Sequence, residues 1–165
     1  MDDDENYRFD ISGFIVLSGV LSPGEVAACN EAIDQMLGGG DDLPPTAGAC
    51  DSLLQLRDHP VLAGYAESLC GEGFRLDTGP VLLGAGGKGD GRLNGGGEWR
   101  DWSRAYFHRN GVRHCQGLMA VWALCDVGSG DGGLAMIPAS HNSEVETPEE
   151  VLSGVDDMGL LEQPM

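Results

Sequence analysis

Glycine restricts how this chain folds more than any other residue type, since 27 of the 165 residues are glycine. Each glycine inside a helix costs about 1 kcal/mol relative to alanine, so a bundle of long helices is disfavoured. With the 8 prolines, glycine makes up about a fifth of the chain, below the roughly 25–30% typical of low-complexity disorder. The length suits one domain, and an apolar fraction of 41% is enough to form a core.

The charge balance excludes several classes of partner. The chain has 27 acidic and 9 basic residues, a formal net charge of -18. Because this charge repels phosphate groups, we expect no nucleic-acid partner. No apolar run reaches the roughly 18–20 residues of a membrane helix, and the acidic segment Met1–Glu5 lacks the basic start of a secretory signal. We therefore expect no membrane insertion and an intracellular, cytoplasmic location.

The cysteines point to the same compartment. Five cysteines are an odd number, and none of them forms a C-x-x-C pair. This usage predicts reduced thiols in an intracellular protein.

The front of the chain is predicted to be mainly helical. Residues 1–10 are predicted to be an acidic tail and residues 11–165 a single domain that opens with a strand at Phe14–Leu17. Ser22 and Glu25 form a capping box with proline at the first helical position, so a helix begins there. A second helix is predicted to begin near Pro60 and to end at Gly71. Strand material follows at residues 74–83.

The second half is predicted to be rich in strands. Asn110-Gly111 between apolar residues indicates a hairpin. The run Gly117–Cys125 is apolar on both faces, as in a strand between two packed layers. After a turn, Leu134–Ile137 forms another strand, and Thr147–Glu150 opens a short helix. Helices in front and strands behind indicate an α+β fold, with the strands in a sandwich or jelly roll.

A glycine-rich loop raises the possibility of nucleotide binding. Residues 84–89 match G-x-G-x-x-G after a short apolar run. A dinucleotide site also needs a helix directly after the loop, and residues 90–97 are too rich in glycine to form one. Nucleotide binding by this loop is therefore a minor hypothesis. An ordered helix directly after Gly89 would favour it.

The four histidines are the other candidates for chemistry. His59 precedes a helix start and is predicted to be a surface or a capping residue, and His108 lies beside the hairpin turn. His141 follows a strand end, where it either faces a cavity or is a hydrogen-bonded structural histidine. A non-haem Fe(II) site needs two histidines and a carboxylate, in compact form H-x-D/E plus a distant histidine. No histidine here is followed by an acid two residues later.

Three stretches of the chain are informative when taken together. The first is Phe9–Glu25, the second Leu93–Gly97, and the third Ala120–Asn142, which ends in Pro-Ala-Ser-His-Asn. In this collinear order they resemble the phytanoyl-CoA dioxygenase family. The third is the most specific, since it combines a strand, a glycine-rich turn and the Pro-Ala-Ser-His element. The resemblance implies N-terminal helices on a cupin-like double-stranded β-helix, or jelly roll, that binds Fe(II) and 2-oxoglutarate. The reaction implied is hydroxylation of a small organic or lipid-like substrate.

The resemblance also identifies site positions. Asn94 occupies the position of the family's first metal-ligand histidine. His141 is the candidate catalytic residue and is expected to line the same cavity. Trp122 is expected to pack beneath His141 or in the core, and Glu98 and Asp101 are nearby carboxylates. The family's distal histidine and closing strands follow the segment that matches residues 151–165, so the domain is expected to be truncated. The chain thus resembles an Fe(II)- and 2-oxoglutarate-dependent dioxygenase, and we expect this exact chain to be inactive. A non-catalytic jelly-roll binding module or an inactive gene fragment is the alternative.

Overall fold

The computed structural model describes residues 1–37, 50–77, 79–82, 105–128, 131, 133–143, 145, 147–152 and 161–163. These ranges mix helices and short strands, which agrees with the predicted α+β class. In chain order the elements are α1 (Asp3–Ser12), α2 (Pro23–Leu37), α3 (Asp51–Arg57), α4 (Pro60–Cys70), β1 (Tyr106–Arg109), β2 (Val112–Cys115), β3 (Leu134–Met136), a 3-10 helix (Ser140–Asn142), α5 (Glu149–Leu152) and β4 (Leu161–Gln163). Within the described ranges the strands form two antiparallel pairs, β1–β2 and β3–β4.

Helix α1 occupies the segment predicted to be an acidic tail, so that prediction is wrong for residues 3–10. Asp2 and Glu5 form a capping box, in which each carboxylate accepts the other residue's backbone N–H at 2.8 and 2.9 Å. The acidic side chains stand at the helix N-terminus, where the helix dipole favours negative charge. Phe9 is buried and anchors the helix to the protein.

Helices α2 and α3 pack together through a second small core. The predicted capping box begins α2, since Glu25 accepts from the Ser22 backbone at 2.8 Å and from its hydroxyl at 2.7 Å. Cys29 of α2 and Leu53 of α3 are buried in one apolar cluster. Helix α3 was not predicted, because its seven residues carry no capping box or long apolar repeat.

Helix α4 and the β1–β2 hairpin form the main core with α1. His59 caps α4 as predicted, its Nδ1 accepting the Val61 N–H at 3.3 Å. The hairpin also forms as predicted: Asn110 and Gly111 adopt φ of 55° and 74°, the left-handed pair of a type I′ turn. At the end of β2, Cys115 is buried with Phe9 and Leu69 in one cluster.

Three predicted strands are absent from the described ranges. Phe14–Leu17, the described part of 74–83, and Gly117–Cys125 have no strand pairing. Residues 117–121 are exposed rather than buried between two layers, and Met119 is 70% exposed. In the part of the chain that the structure describes, no strand hydrogen-bonds to this run. An apolar pattern without a pairing neighbour cannot form a strand.

The C-terminal elements agree better with those predicted from the sequence. Strand β3 lies inside the predicted strand Leu134–Ile137. Helix α5 begins within Thr147–Glu150, where a short helix was predicted to open, and extends to Leu152. Strand β4, which was not predicted, pairs antiparallel with β3 so that Ala135 faces Glu162. The described strands are compatible with an α+β fold, and the jelly roll stays a prediction.

Candidate functional site

The 3-10 helix brings His141 against the C-terminal half of α1. Ala139 adopts a left-handed φ of 67° and turns the chain after β3, which places the helix Ser140–Asn142 beside Asp10. The His141 ring lies 4.9 Å from the Tyr106 ring and 6.3 Å from the Phe9 ring, between centroids. Its Nε2 lies 3.2 Å from the Asp10 carbonyl oxygen. His141 is therefore the predicted site residue that the structure brings into a group of polar side chains.

The protonation state of His141 follows from these contacts. Since a carbonyl oxygen only accepts, Nε2 carries the proton and donates to Asp10. Burial lowers the pKa of His141 below its ordinary value, against a smaller opposing effect of the Asp10 carbonyl. Nδ1 is buried without a hydrogen-bond partner, and Gly13 lies directly against it. The imidazole is thus neutral at neutral pH, with both nitrogens facing protein.

Three other side chains lie close to Asp10. We call Asp10, Tyr106, His108 and His141 the Asp10 cluster. The Tyr106 hydroxyl donates to Asp10 Oδ1 at 2.5 Å, and His108 Nδ1 lies 3.6 Å from the same oxygen. Burial first, and then the bond to Asp10, raise the pKa of Tyr106 to about 12. The Asp10 and His108 side chains are each 39% exposed, so solvent reaches this face of the cluster.

Backbone contacts show what the Pro-Ala-Ser-His element does for the fold. The Ala139 N–H donates to the Ser12 carbonyl at 2.9 Å, and Asn142 Nδ2 donates to the Asp10 carbonyl at 3.3 Å. Together with His141 Nε2, these donors satisfy carbonyls of the last turn of α1, which have no partner inside the helix. The element is therefore a C-terminal cap for a helix about 130 residues earlier in the chain.

We tested whether these residues fit the Fe(II) that the resemblance implies. Such a site needs two imidazoles and a carboxylate directed at one point. The Asp10 cluster contains these residue types, but His141 directs Nε2 at a carbonyl and Nδ1 at Gly13. Among the described residues, no three His, Cys, Asp or Glu side chains stand close enough together to hold a metal ion. The described residues do not fit an iron site at His141.

The other predicted site residues have different outcomes. Asn94, Glu98 and Asp101 lie outside the described residues, as do the glycines at 84–89. Trp122 is not stacked beneath His141: its described ring contact is edge-to-face with His59, at 5.2 Å between centroids. The expectation of a shared cavity with His141 is therefore not supported for Trp122.

Sequence reasoning missed Asp10 and Tyr106, the other two members of the Asp10 cluster besides the histidines. Asp10 and Tyr106 are 96 residues apart, so no local spacing links them. The available signal was the Asp2-x-x-Glu5 capping box, which indicates that Asp10 lies on a helix rather than in a tail.

A second recess opens between α2 and α3. It has a volume of about 280 Å³ and is lined by side chains that include Glu25, Cys29, Gln55 and His59. Two hydrogen bonds from Ser22 lower the pKa of Glu25, and Cys29 Sγ donates to the Ser52 carbonyl at 3.6 Å. Its polar groups are thus largely engaged in holding helix ends.

Comparisons with known proteins identify no family. The chain matches no protein-family model, no curated protein and no solved structure. Within the described ranges, none of the helices has the length and apolar character needed to span a bilayer.

Proposed function

We propose that this chain is a relative of the phytanoyl-CoA dioxygenases that has lost catalysis and works as a non-catalytic, small-molecule-binding module of the jelly-roll type. The block Ala120–Asn142 supports the relationship, because it combines an apolar run, a glycine-rich turn and Pro-Ala-Ser-His in the family's order. In the structure, β3 is followed directly by the turn and the 3-10 helix that carries His141.

The structural observation that supports the loss of catalysis is the placement of His141, the candidate catalytic residue. Its Nε2 donates to the Asp10 carbonyl at 3.2 Å and its Nδ1 is covered by Gly13. A histidine coordinates a metal through a nitrogen lone pair that faces the ion. To coordinate Fe(II), His141 would have to leave the cap of α1.

The identity of residue 94 supports the same proposal from the sequence. The relatives resembled have histidine at this position, and this chain has asparagine. Imidazole is a strong ligand for Fe(II), whereas a neutral amide oxygen is weak. An amide at the family's ligand position therefore lowers the expected affinity for Fe(II).

The test is an anaerobic titration of the chain with Fe(II) in the presence of 2-oxoglutarate. We expect no visible charge-transfer band, and no consumption of 2-oxoglutarate after air is admitted. Asn94→His tests the ligand position, and Asn94→Gln is its matched amide control. A band that appears only in Asn94→His supports the proposal, whereas a band in the unchanged chain that His141→Ala removes contradicts it.

An active Fe(II)- and 2-oxoglutarate-dependent dioxygenase is the second candidate. The observation in its favour is that the resemblance runs collinearly from Phe9 to Asn142. The same titration separates the two functions, because consumption of 2-oxoglutarate by the unchanged chain would favour the enzyme.

A further inference from the structure

Two cysteines from distant parts of the chain meet in the main core. Cys70 is the last residue of α4 and Cys115 the last residue of β2, 45 positions later. Their Sγ atoms are 4.0 Å apart, and both are free thiols. Cys115 is buried beside Phe9 and Leu69, and Cys70 is partly buried against the same cluster. The two thiols are thus held as neighbours by the packing of α4 on the hairpin.

We propose that Cys70 and Cys115 form a reversible disulfide that links α4 to the β1–β2 hairpin when the protein meets a small-molecule disulfide. A disulfide needs its sulfur atoms about 2.05 Å apart, so the pair must close by about 2 Å. Side-chain rotation and small shifts of the two chain segments can supply this movement. The inference does not rest on the proposed function, since the Asp10 cluster plays no part in it.

The exposure of the two thiols sets the order of the reaction. Cys70 is the more accessible of the two, and burial raises the pKa of Cys115 to about 12. The small disulfide therefore reaches Cys70 first. Cys70 Sγ attacks one sulfur of the small disulfide and gives its proton to solvent. This step breaks the small disulfide, releases one small thiolate and leaves a mixed disulfide on Cys70.

The second step completes the exchange. The released small thiolate takes the Cys115 proton, and the Cys115 thiolate attacks Sγ of Cys70. The Cys70–Cys115 bond forms, the mixed disulfide breaks, and the second small thiolate leaves and takes a proton from solvent. In total two protein thiols are oxidised and one small disulfide is reduced to two thiols.

The other cysteines offer no equal pair in the described residues. Cys29 and Cys50 belong to the α2–α3 cluster, where Cys29 Sγ donates to the Ser52 carbonyl and not to the other thiol. By contrast, Cys70 Sγ donates to Cys115 Sγ. Cys125 is exposed on the run that follows the hairpin and can form a mixed disulfide with the small molecule. We therefore expect the intramolecular cross-link, and not the exchange itself, to be selective for Cys70 and Cys115. The cross-link should raise the thermal midpoint of unfolding, because it restricts the unfolded chain.

The experiment treats the full chain with glutathione disulfide, quenches with an alkylating agent under denaturing conditions, and maps the peptides. Among the five cysteines we expect one cross-linked peptide pair, containing Cys70 and Cys115, and a higher thermal midpoint that dithiothreitol reverses. Exposed Cys125 is expected to carry glutathione and no cross-link. Cys125→Ser is the matched control and should keep the cross-link. Cys70→Ala and Cys115→Ala should each lose it.

Three results would overturn the proposal. They are five alkylated cysteines after treatment, a cross-link between any other pair, and a mixed disulfide that persists on Cys70 without attack by Cys115. Cys70→Ala keeps the test valid if Cys115→Ala fails to fold, because Cys70 is only partly buried.

Discussion

His141 shows how one residue can have the sequence context of a ligand and the contacts of a scaffold residue. Its Nε2 satisfies a carbonyl of α1, and its ring packs between Phe9 and Tyr106. Replacing it leaves the Asp10 carbonyl one donor short and removes aromatic packing from the main core. The residue therefore contributes to stability whether or not the protein has an activity.

The substitution His141→Ala is expected to lower the free energy of unfolding by about 2 kcal/mol. About half of this comes from the hydrogen bond and half from the ring contacts. Urea denaturation measures it, with His108→Ala as the control. His108 is exposed and paired with Asp10 only at 3.6 Å, so its loss should cost about 1 kcal/mol or less. Equal losses in the two variants would contradict the structural role.

Stability should also depend on pH through His141. Its pKa in the folded protein is lowered from 6.5 by burial. The unfolded chain therefore takes up a proton first as the pH falls, and stability decreases from about pH 6.5 down to the folded pKa. Above that window the stability from the neutral ring is fully present. Urea midpoints measured across the window should fall less in His141→Gln than in the unchanged protein, and an identical fall would contradict this assignment.

At the scale of elements, the C-terminal end of α1 depends on the close contact between Gly13 and the His141 ring. Gly13 ends the helix with φ of 84° and lies against the His141 ring, with no room for a Cβ atom. Gly13→Ala should cost about 3 kcal/mol, from left-handed backbone strain and steric overlap together. Because His141→Ala removes the overlapping ring, the double variant should cost at least about 1 kcal/mol less than the two single losses added. Strictly additive losses would show that Gly13 and His141 do not interact.

The hairpin offers a second test at this scale. Gly111 has φ of 74° in open space, so Gly111→Ala meets only backbone strain and should cost about 1–2 kcal/mol. Gly64 lies within α4, also in open space, and Gly64→Ala should stabilise the protein by about 0.5–1 kcal/mol. Thermal unfolding of the two variants checks the opposite signs. A stabilising Gly111→Ala would rule out the type I′ turn.

Local signals explain which elements the sequence predicts. The capping box at Ser22, the cap at His59 and the Asn110-Gly111 turn all act within a few residues, and each element forms as expected. The capping box formed by Asp2 and Glu5 is equally local, but the run of acidic residues that contains it predicts an acidic tail, and the helix was missed. Strands at Phe14–Leu17 and Gly117–Cys125 fail because a strand needs a partner that composition does not specify.

The candidate site could be predicted only in part. His141 was identified from its place after a strand, but its partner Asp10 is 131 residues away. No single-sequence pattern encodes such a contact, which forms only when α1, the hairpin and the 3-10 helix pack together. The choice between a cavity-facing and a structural histidine therefore required the structure.

At the scale of the whole molecule, α1 links the N-terminus to later parts of the chain. Asp10 contacts Tyr106, Ser12 accepts from Ala139, and Asn6 Oδ1 accepts from Arg113 at 2.8 Å. The Pro-Ala-Ser-His element that resembles an oxygenase signature takes part in this network. Its place in the network gives the element a structural role that does not depend on any activity.

His141 holds the C-terminus of α1, and in that position neither of its ring nitrogens is open to an iron ion. The most direct test is anaerobic thermal unfolding of the chain with and without Fe(II) and 2-oxoglutarate, since a ligand that binds the folded state raises its stability by mass action. Our account predicts equal midpoints in the unchanged chain. An iron-dependent rise in the midpoint that His141→Gln abolishes would contradict it.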